Sequence, residues 1–289
     1  MSSVRAATAR QQKLAAVYDA EIWPLVPARA AELILRGLPR NKPGSTVLEV
    51  GSATGTLALA LAERMDPTSR VLGIDASPAL IELAEAARGR HAAGSRVSFR
   101  LVDPPPPWTL DEKAYDLVVA NLSLAEVTDP AATIASLARS LKPGGRFMTT
   151  VILRGSWTEF IDLYRDVLTE QNRREGLVML QAHQATLPTA EISVRWLESA
   201  GLQQVTVEVA RWELLFRSAR EFFFAPVVEL GPLPVWKQIA GGRGDEMQDV
   251  FFFVKEAIET YFSGSVFPVS MVVACLQGTR PTVSASVAR

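Results

Sequence analysis

The sequence predicts an α/β fold with a doubly wound, mostly parallel sheet of seven strands. Short apolar runs alternate with helical segments from about residue 46 onward, which indicates successive βαβ units around a sheet covered on both faces. Hydrophobic residues make up 48% of the 289 residues and charged residues 21%, which is typical of a globular protein. We therefore expect one large domain over residues 1–280.

The first half of the chain supplies five of the strands. The predicted strands cover residues 46–50, 71–74, 97–102, 115–120 and 146–153. An Ala- and Leu-rich helix follows the first strand, and Ser77-Pro78 and Asp129-Pro130 each start a further helix, because a capping residue before proline is a helix start signal. Lys142-Pro-Gly-Gly145 predicts a turn into the fifth strand. Residues 46–153 thus form the predicted core, behind an N-terminal helical segment, residues 1–45.

The second half, residues 154–280, changes in character. Residues 157–174 and 189–200 are predicted helices, and residues 202–212 and 268–276 are the last two strands. Nine of the twelve phenylalanines fall within residues 216–267, which predicts a helical, Phe-rich insertion before the last strand. The small, polar residues 281–289 are predicted to be a flexible tail.

Composition excludes several classes of function. The 30 Lys and Arg residues are balanced by 31 Asp and Glu residues, so the chain lacks the basic excess of a dedicated nucleic-acid binder. One cysteine and two distant histidines, His91 and His183, predict neither a disulfide framework nor a metal site. No apolar run is long enough for a transmembrane helix, and we expect a cytoplasmic protein.

The main motif is the stretch Val47-Leu-Glu-Val-Gly-Ser-Ala-Thr-Gly55, where a strand leads through small residues into a helix. Small residues in such a turn allow a cofactor to approach the backbone closely. The dinucleotide fingerprint GxGxxG fits poorly, because Ala53 and Thr56 occupy its second and third glycine positions. A phosphate-binding Lys-Ser/Thr pair is also missing after the loop.

This motif resembles the first motif of the class I S-adenosylmethionine-dependent methyltransferases, VLEVGCGTG, with Ala53 in place of the middle glycine. The segments VLGIDASP, RLVDPPPPW, YDLVVANL and LARSLKPGGRF continue the resemblance in the family's order. The resemblance implies a Rossmann-like fold with an N-terminal helical lid over S-adenosylmethionine, and S-adenosylhomocysteine as product. The N-terminal segment VYDAEIWP resembles that of quinone-pathway methyltransferases. The segment FRSAREFF, at the start of the Phe-rich insertion, resembles the acceptor-side segment of quinone- and biotin-pathway methyltransferases.

The resemblance also assigns the cofactor-binding residues. Glu49 is expected to hold the ammonium group, the backbone of Ser52 to Gly55 the carboxylate, Asp75 the ribose hydroxyls and Asp103 the adenine amino group. The full predicted set is Tyr18, Glu49, Gly51, Ser52, Ala53, Gly55, Asp75, Ala76, Asp103, Pro104, Asn121 and Leu122. Pro104 begins a run of four prolines that departs from the family pattern.

The sequence offers no obvious catalytic base. Many small-molecule family members carry a His-His pair after the fourth strand, where this chain has Ala125-Glu126. Glu126 and His183, the latter in a connection expected to face the acceptor, are the two candidates. Because proximity and orientation can supply most of the rate enhancement of a methyl transfer, the reaction does not require a base of unusual strength.

These residues predict methyl transfer to a small, partly apolar metabolite at an undecided oxygen, carbon or nitrogen. The Phe-rich insertion must bury its apolar face against an acceptor, a partner subunit or a membrane surface, so a homodimer through it is a further hypothesis. Two alternatives stay open: an S-adenosylmethionine-binding enzyme that does not methylate, such as a cyclase, and a non-catalytic scaffold protein. A nicotinamide oxidoreductase is a weaker one, because of Thr56.

Overall fold

A computed structural model describes residues 8–39, 42–103, 108, 110–242 and 244–282. The predicted tail beyond residue 282 and the proline run at residues 104–107 lie outside this part of the chain. The strands are β1 (Thr46–Val50), β2 (Arg70–Asp75), β3 (Val97–Leu101), β4 (Tyr115–Asn121), β5 (Leu141–Ile152), β6 (Arg154–Trp157), β7 (Gln203–Phe216) and β8 (Phe267–Thr279).

Helices connect these strands. They are α1 (Ala9–Val17), α2 (Pro27–Arg36), α3 (Thr56–Arg64), α4 (Pro78–Arg90), α5 (Pro130–Ser140), α6 (Thr158–Glu170), α7 (Arg174–Thr186), α8 (Ala190–Ser199), α9 (Ala219–Phe224), α10 (Pro226–Glu229), α11 (Leu233–Ile239) and α12 (Asp245–Tyr261). A π-helix, Tyr18–Ile22, follows α1, and short 3₁₀-helices cover Gly94–Arg96 and Ser123–Glu126. Within the described ranges, no helix combines the length and apolar character needed to cross a bilayer.

The sheet has seven strands in the order β3-β2-β1-β4-β5-β8-β7, in which β1 to β5 are parallel to one another. Strand β8 runs antiparallel to β5, because Arg280 donates its amide to Gly145 O and the amide of Leu153 donates to Val272 O. The predicted α/β fold with a mostly parallel, seven-stranded sheet is confirmed. It brings the carboxyl ends of β1, β2 and β4 together, since Val50 pairs with both Ile74 and Ala120.

The chain divides into two compact units. Unit 1 contains Met1–Val151, Ala190–Val209 and Ala274–Arg289, and unit 2 contains Ile152–Thr189 and Ala210–Val273. Unit 1 holds the strands β1 to β4 with α1 to α5 and α8. Unit 2 holds α6, α7 and α9 to α12 around an aromatic core, in which the rings of Phe160 and Trp236 stack with centroids 4.0 Å apart. The predicted division into lid, core and acceptor half stays a prediction.

Three local predictions differ from the structure. The predicted turn at Lys142-Pro-Gly-Gly145 lies inside β5, because Gly144 takes a left-handed conformation and a register shift opposite β4 absorbs the irregularity. His183 lies in α7 rather than in a connection, since the helix 157–174 ends early and a second helix follows. The predicted N-terminal helical segment starts with α1 and passes directly into the π-helix at Tyr18, a change of helix type that the sequence did not predict.

Candidate functional site

The loop between β1 and α3 adopts a conformation that needs small residues. Gly51, Ala53 and Gly55 have φ angles of 70°, 46° and 79°, which belong to the left-handed region. A Cβ atom on Gly51 would collide with the Cβ atom of Ser123. The amides of Gly51 and Ser52 both donate to Ile74 O, at 2.9 and 3.0 Å, so the loop is fixed to the end of β2. The glycine positions predicted from the sequence are therefore required by the fold of this loop.

Phe99 on β3 packs beneath the same loop, and the sequence analysis did not identify it. Its ring would collide with a Cβ atom on Gly55, and it would lie 2.6 Å from a Cβ atom on Gly73 of β2. Ser52 would lie 2.8 Å from that same Cβ atom. Phe99 thus explains why residues 55 and 73 are glycines, and Ser52 adds to the constraint on Gly73. Because Phe99 is far from both glycines in sequence, no local pattern shows this relation.

Glu49 at the end of β1 is a buried carboxyl group with an unused oxygen. Its side chain is 2% exposed, and its Oε2 atom has no hydrogen-bond partner among the described residues. Burial, and then the nearby Asp75 carboxylate, raise the pKa of Glu49 well above its usual value, although a hydrogen bond from the Ala58 backbone partly opposes this. Such a group favours a cationic partner, which would compensate the buried charge.

Asp75 at the end of β2 organises the loop through both carboxylate oxygens. Its Oδ2 atom accepts the Ala53 amide at 2.8 Å, and its Oδ1 atom accepts the Ser77 amide at 2.8 Å. Burial raises the pKa of Asp75, while hydrogen bonds from the backbone of Ser77, Ala53 and Ala76 lower it. A carboxylate has about four acceptor positions, so capacity for hydroxyl donors is left on this group.

Asn121 at the end of β4 is engaged by the protein itself. Its Nδ2 atom donates to Pro27 O at 3.0 Å, and its Oδ1 atom accepts from Thr150 Oγ1 at 2.7 Å. Thr150 Oγ1 also accepts the amide of Leu122, which has a φ angle of 60°. Ser123 Oγ then donates to Val50 O at 2.8 Å. Asn121 therefore positions the loop after β4 and anchors α2, a part of the predicted lid.

The remaining predicted residues of unit 1 are more exposed than Glu49. Tyr18 is half-buried in the π-helix, Ala76 is exposed after Asp75, and Asp103 is exposed after β3. Pro104 and the side chain of Glu126 lie outside the described structure. The structure thus brings together Glu49, the glycine loop, Asp75, Asn121 and Leu122.

His183, the second candidate base, belongs to unit 2. Its ring is half-buried in α7, and burial lowers its pKa. The imidazole is therefore neutral at neutral pH and able to accept a proton.

Two buried polar atoms at the loop match the charged groups of an amino acid. Glu49 Oε2 can accept from an ammonium group, and Ser52 Oγ, which also has no hydrogen-bond partner among the described residues, can donate to a carboxylate. The loop backbone, which the sequence analysis assigned to the carboxylate, is engaged within the protein instead, because the amides of Ser52, Ala53 and Gly55 already donate there. With Asp75 beside them, these residues fit the amino-acid and ribose parts of S-adenosylmethionine.

Comparison with known proteins identifies the family of the chain. The family model described as "Methyltransferase domain" matches residues 41–213, more than half of the chain. Nocamycin O-methyltransferase of Saccharothrix syringae is 33% identical over 141 residues, which are 48% of this chain and 48% of that protein. The chain thus matches only about half the length of this curated relative.

Solved structures of other proteins are similar to this chain in fold. The YcgJ protein of Bacillus subtilis superposes with a TM-score of 0.53 at 14% identity, over 88% of this chain and 99% of its own. Phosphoethanolamine N-methyltransferase 2 of Haemonchus contortus, solved with S-adenosylmethionine, gives a TM-score of 0.51 at 16% identity, over 88% of this chain and 52% of its own.

The chain belongs to the methyltransferase domain family, within the class I S-adenosylmethionine-dependent methyltransferases. The predicted family and its Rossmann-like fold are confirmed, and S-adenosylmethionine is confirmed as the cofactor of that family. The individual site residues stay predictions.

Proposed function

We propose that this chain transfers the methyl group of S-adenosylmethionine to a small, partly apolar metabolite. The observation that carries the proposal is a buried Glu49 carboxyl group, whose Oε2 atom has no hydrogen-bond partner among the described residues, next to Asp75 at the left-handed loop. A buried acid with an unpaired oxygen is costly for a fold, so a bound cation at this position explains why it is there.

Each residue then has a defined task. Glu49 binds the ammonium group, the hydroxyl of Ser52 binds the carboxylate, and Asp75 accepts hydrogen bonds from the ribose hydroxyls. Asp103 is assigned to the adenine, and Tyr18, in the N-terminal lid, to covering the cofactor. Leu122, held by Thr150, lies where the loop after β4 would flank the methyl donor.

When bound, the cofactor supplies a methyl group already activated by the sulfonium charge. The protein contributes orientation: a rigid loop at β1, a second fixed loop after β4, and side chains that hold the donor in one position. Holding two reactants in line is worth an effective molarity of about 10⁵–10⁸ M, so positioning can provide most of the acceleration. Where the acceptor atom carries a proton, Glu126, which follows β4 in unit 1, is the proposed proton acceptor, and His183 of unit 2 stays the second candidate.

The size and character of the acceptor rest on two supports. One relative is named for the O-methylation of nocamycin, which supports a small metabolite with an oxygen nucleophile. The second is the aromatic-rich sequence of residues 216–267, in which rings that do not pack into the core of unit 2, such as Phe252, supply apolar surface.

The proposal is tested by isotope transfer. The protein is incubated with S-adenosylmethionine carrying a trideuteromethyl group and a set of small phenols, carboxylic acids and hydroxylated polyketides, and the products are analysed by mass spectrometry. We expect S-adenosylhomocysteine together with a labelled product. Binding of the cofactor without transfer to any acceptor of this set would contradict the proposed acceptor class.

Two glycine variants provide the matched control. Gly51→Ala introduces a Cβ atom into Ser123, whereas Gly44→Ala has a similar φ angle, 69°, but meets nothing within 4 Å. Both replacements strain the backbone to a similar extent, but only the one at Gly51 also clashes with Ser123. We therefore expect Gly51→Ala to abolish methyl transfer and Gly44→Ala to retain it. Equal loss in both variants would show that the loop is not the site.

A further inference from the structure

Unit 2 carries a surface groove between α6 and α12 that the proposed reaction does not use. Its volume is about 460 Å³. Leu163 and Val167 form its floor on α6, and Phe253, Ala257 and Tyr261 follow one another along α12. The three α12 residues are spaced at i, i+4 and i+8, so they form one stripe on the helix about 12 Å long.

This stripe is exposed although α12 already has a buried face. Val250, Val254 and Ile258 are fully buried and attach the helix to unit 2, whereas Phe253 is 50% and Tyr261 73% exposed. Exposed large apolar side chains that cluster in one groove are a mark of an interaction site, because single scattered ones are the norm. The packing of α12 against unit 2 therefore does not require this stripe.

The rim of the groove is acidic. Asp166 and Glu170 of α6 and Glu256 of α12 line it, and none of its described lining residues is basic. The ion pair on α6 joins Arg165 to Asp162, which is not a lining residue. Among the described residues, no ion pair involves the three rim carboxylates.

We propose that this groove binds a basic amphipathic helix of a partner protein. An apolar groove between two packed helices can accept a third helix. The apolar residues of that helix, at i, i+3, i+4 and i+7, would lie between the lining residues of α6 and those of α12. Lys and Arg side chains flanking those residues would face Asp166, Glu170 and Glu256. The partner's side chains thus match the groove in both charge and spacing.

The same charges disfavour two other occupants. In a two-fold dimer through this groove, the acidic rim of one copy would face the acidic rim of the other. A membrane surface rich in anionic lipids would be repelled in the same way.

The test uses the full chain and a synthetic probe. The probe is an amphipathic helical peptide of leucine and lysine, about 18 residues long so that it forms a stable helix, labelled for fluorescence anisotropy. A peptide with glutamate in place of lysine is the charge control. We expect the lysine peptide to bind saturably, more weakly at higher salt, and the glutamate peptide not to bind.

Three variants locate the binding. Phe253→Ser combined with Tyr261→Ser, and separately Asp166→Lys combined with Glu170→Lys, should each weaken binding by about tenfold or more. Phe224→Ser, which replaces a ring that is 69% exposed on α9 and does not line the groove, should leave binding unchanged. All these residues are exposed, so the variants should fold, which circular dichroism checks.

Equal binding of both peptides, or binding that the groove variants do not change, would overturn the proposal. Self-association of the unliganded chain that the Phe253 and Tyr261 replacements abolish would overturn it in favour of a second copy.

Discussion

Glu49 has opposite effects on folding and on cofactor binding. Its pKa is raised in the folded state by burial and by Asp75, so the protonated form is the one that the empty fold prefers. A carboxyl group of this kind stabilises the fold below its unfolded pKa, about 4.3. That contribution is lost as the pH rises through the folded pKa. The same residue is the proposed ligand of an ammonium group, which needs the ionised form.

Glu49→Gln should therefore separate the two effects. The amide is never charged, so the variant should be more stable than the parent chain above the folded pKa of Glu49, and its stability should depend less on pH. Its affinity for S-adenosylmethionine should fall by about tenfold to a hundredfold, because a hydrogen bond to a charged group is lost. Urea denaturation between pH 5 and 8 and calorimetric titration measure the two quantities.

Glu198→Gln is the control, because that side chain is exposed on α8. It should change neither quantity. A lower stability for Glu49→Gln at pH 8, or an unchanged affinity, would contradict the assigned role.

At the scale of single residues, the sequence motif indicates where Glu49 and Asp75 stand in the fold but not which residues surround them. Glu49 and Asp75 were predictable because they stand at fixed distances from the glycines in a motif. Phe99, Ser123 and Thr150 were not, because each acts on the site from a different strand or loop, and such contacts leave no local pattern.

At the scale of elements, one buried hydroxyl joins β5 to the loop after β4 and, through Asn121, to α2. Thr150 is fully buried and bonds both Asn121 and the amide of Leu122. Thr150→Val keeps the shape and removes both hydroxyl bonds, but it leaves the Leu122 amide bonded to the backbone oxygen of Thr150 at 3.2 Å. We therefore expect a stability loss of about 1–3 kcal/mol and moderately faster hydrogen exchange at the Leu122 amide.

Thr150→Ser keeps the hydroxyl and should restore slow exchange at Leu122 despite the lost methyl group. Hydrogen-exchange mass spectrometry of peptides covering residues 121–124 makes this comparison. Identical exchange in the Val and Ser variants would show that Thr150 acts through packing alone.

Element boundaries were predicted most closely where a run of apolar residues ends at a capping signal. Strand β1 matches its predicted range, and α5 starts at the Pro130 that the Asp129-Pro130 pair indicated. The prediction missed α7 because its sequence, REGLVMLQAHQAT, has a weak apolar periodicity and follows another helix after only three residues. The π-helix at Tyr18 was equally invisible, since its composition is that of an ordinary helix.

At the scale of the whole molecule, the Phe-rich segment is mainly a structural core. The Phe222 ring is fully buried and contacts Phe160, Phe216, Phe223, Trp236 and Phe267, with centroid distances between 5.0 and 6.1 Å. Phe224, two positions later in α9, is 69% exposed. The sequence predicted an aromatic insertion, but it could not tell which rings pack inward.

Phe222→Ala should therefore lower the free energy of unfolding by about 3–5 kcal/mol, as expected for a large buried ring. Phe224→Ala should change it by less than about 0.5 kcal/mol, as expected for an exposed side chain. Urea denaturation followed by tryptophan fluorescence compares them, because Trp157 and Trp236 report on the same core. Similar losses in both variants would contradict the assignment of Phe222 to the core of unit 2.

The central claim for the whole molecule is that S-adenosylmethionine binds at the loop organised by Asp75. Isothermal titration calorimetry of the chain with this cofactor tests it most directly, with Asp75→Ala and Asp129→Ala as variants. Asp129 is the matched control, because it also accepts a helix-start amide, that of Ala132 at 2.9 Å, but at α5. We predict that Asp75→Ala weakens binding by about tenfold to a hundredfold and that Asp129→Ala leaves it unchanged. Absence of binding to the unmodified chain, or equal affinity in the Asp75→Ala variant, would contradict the claim.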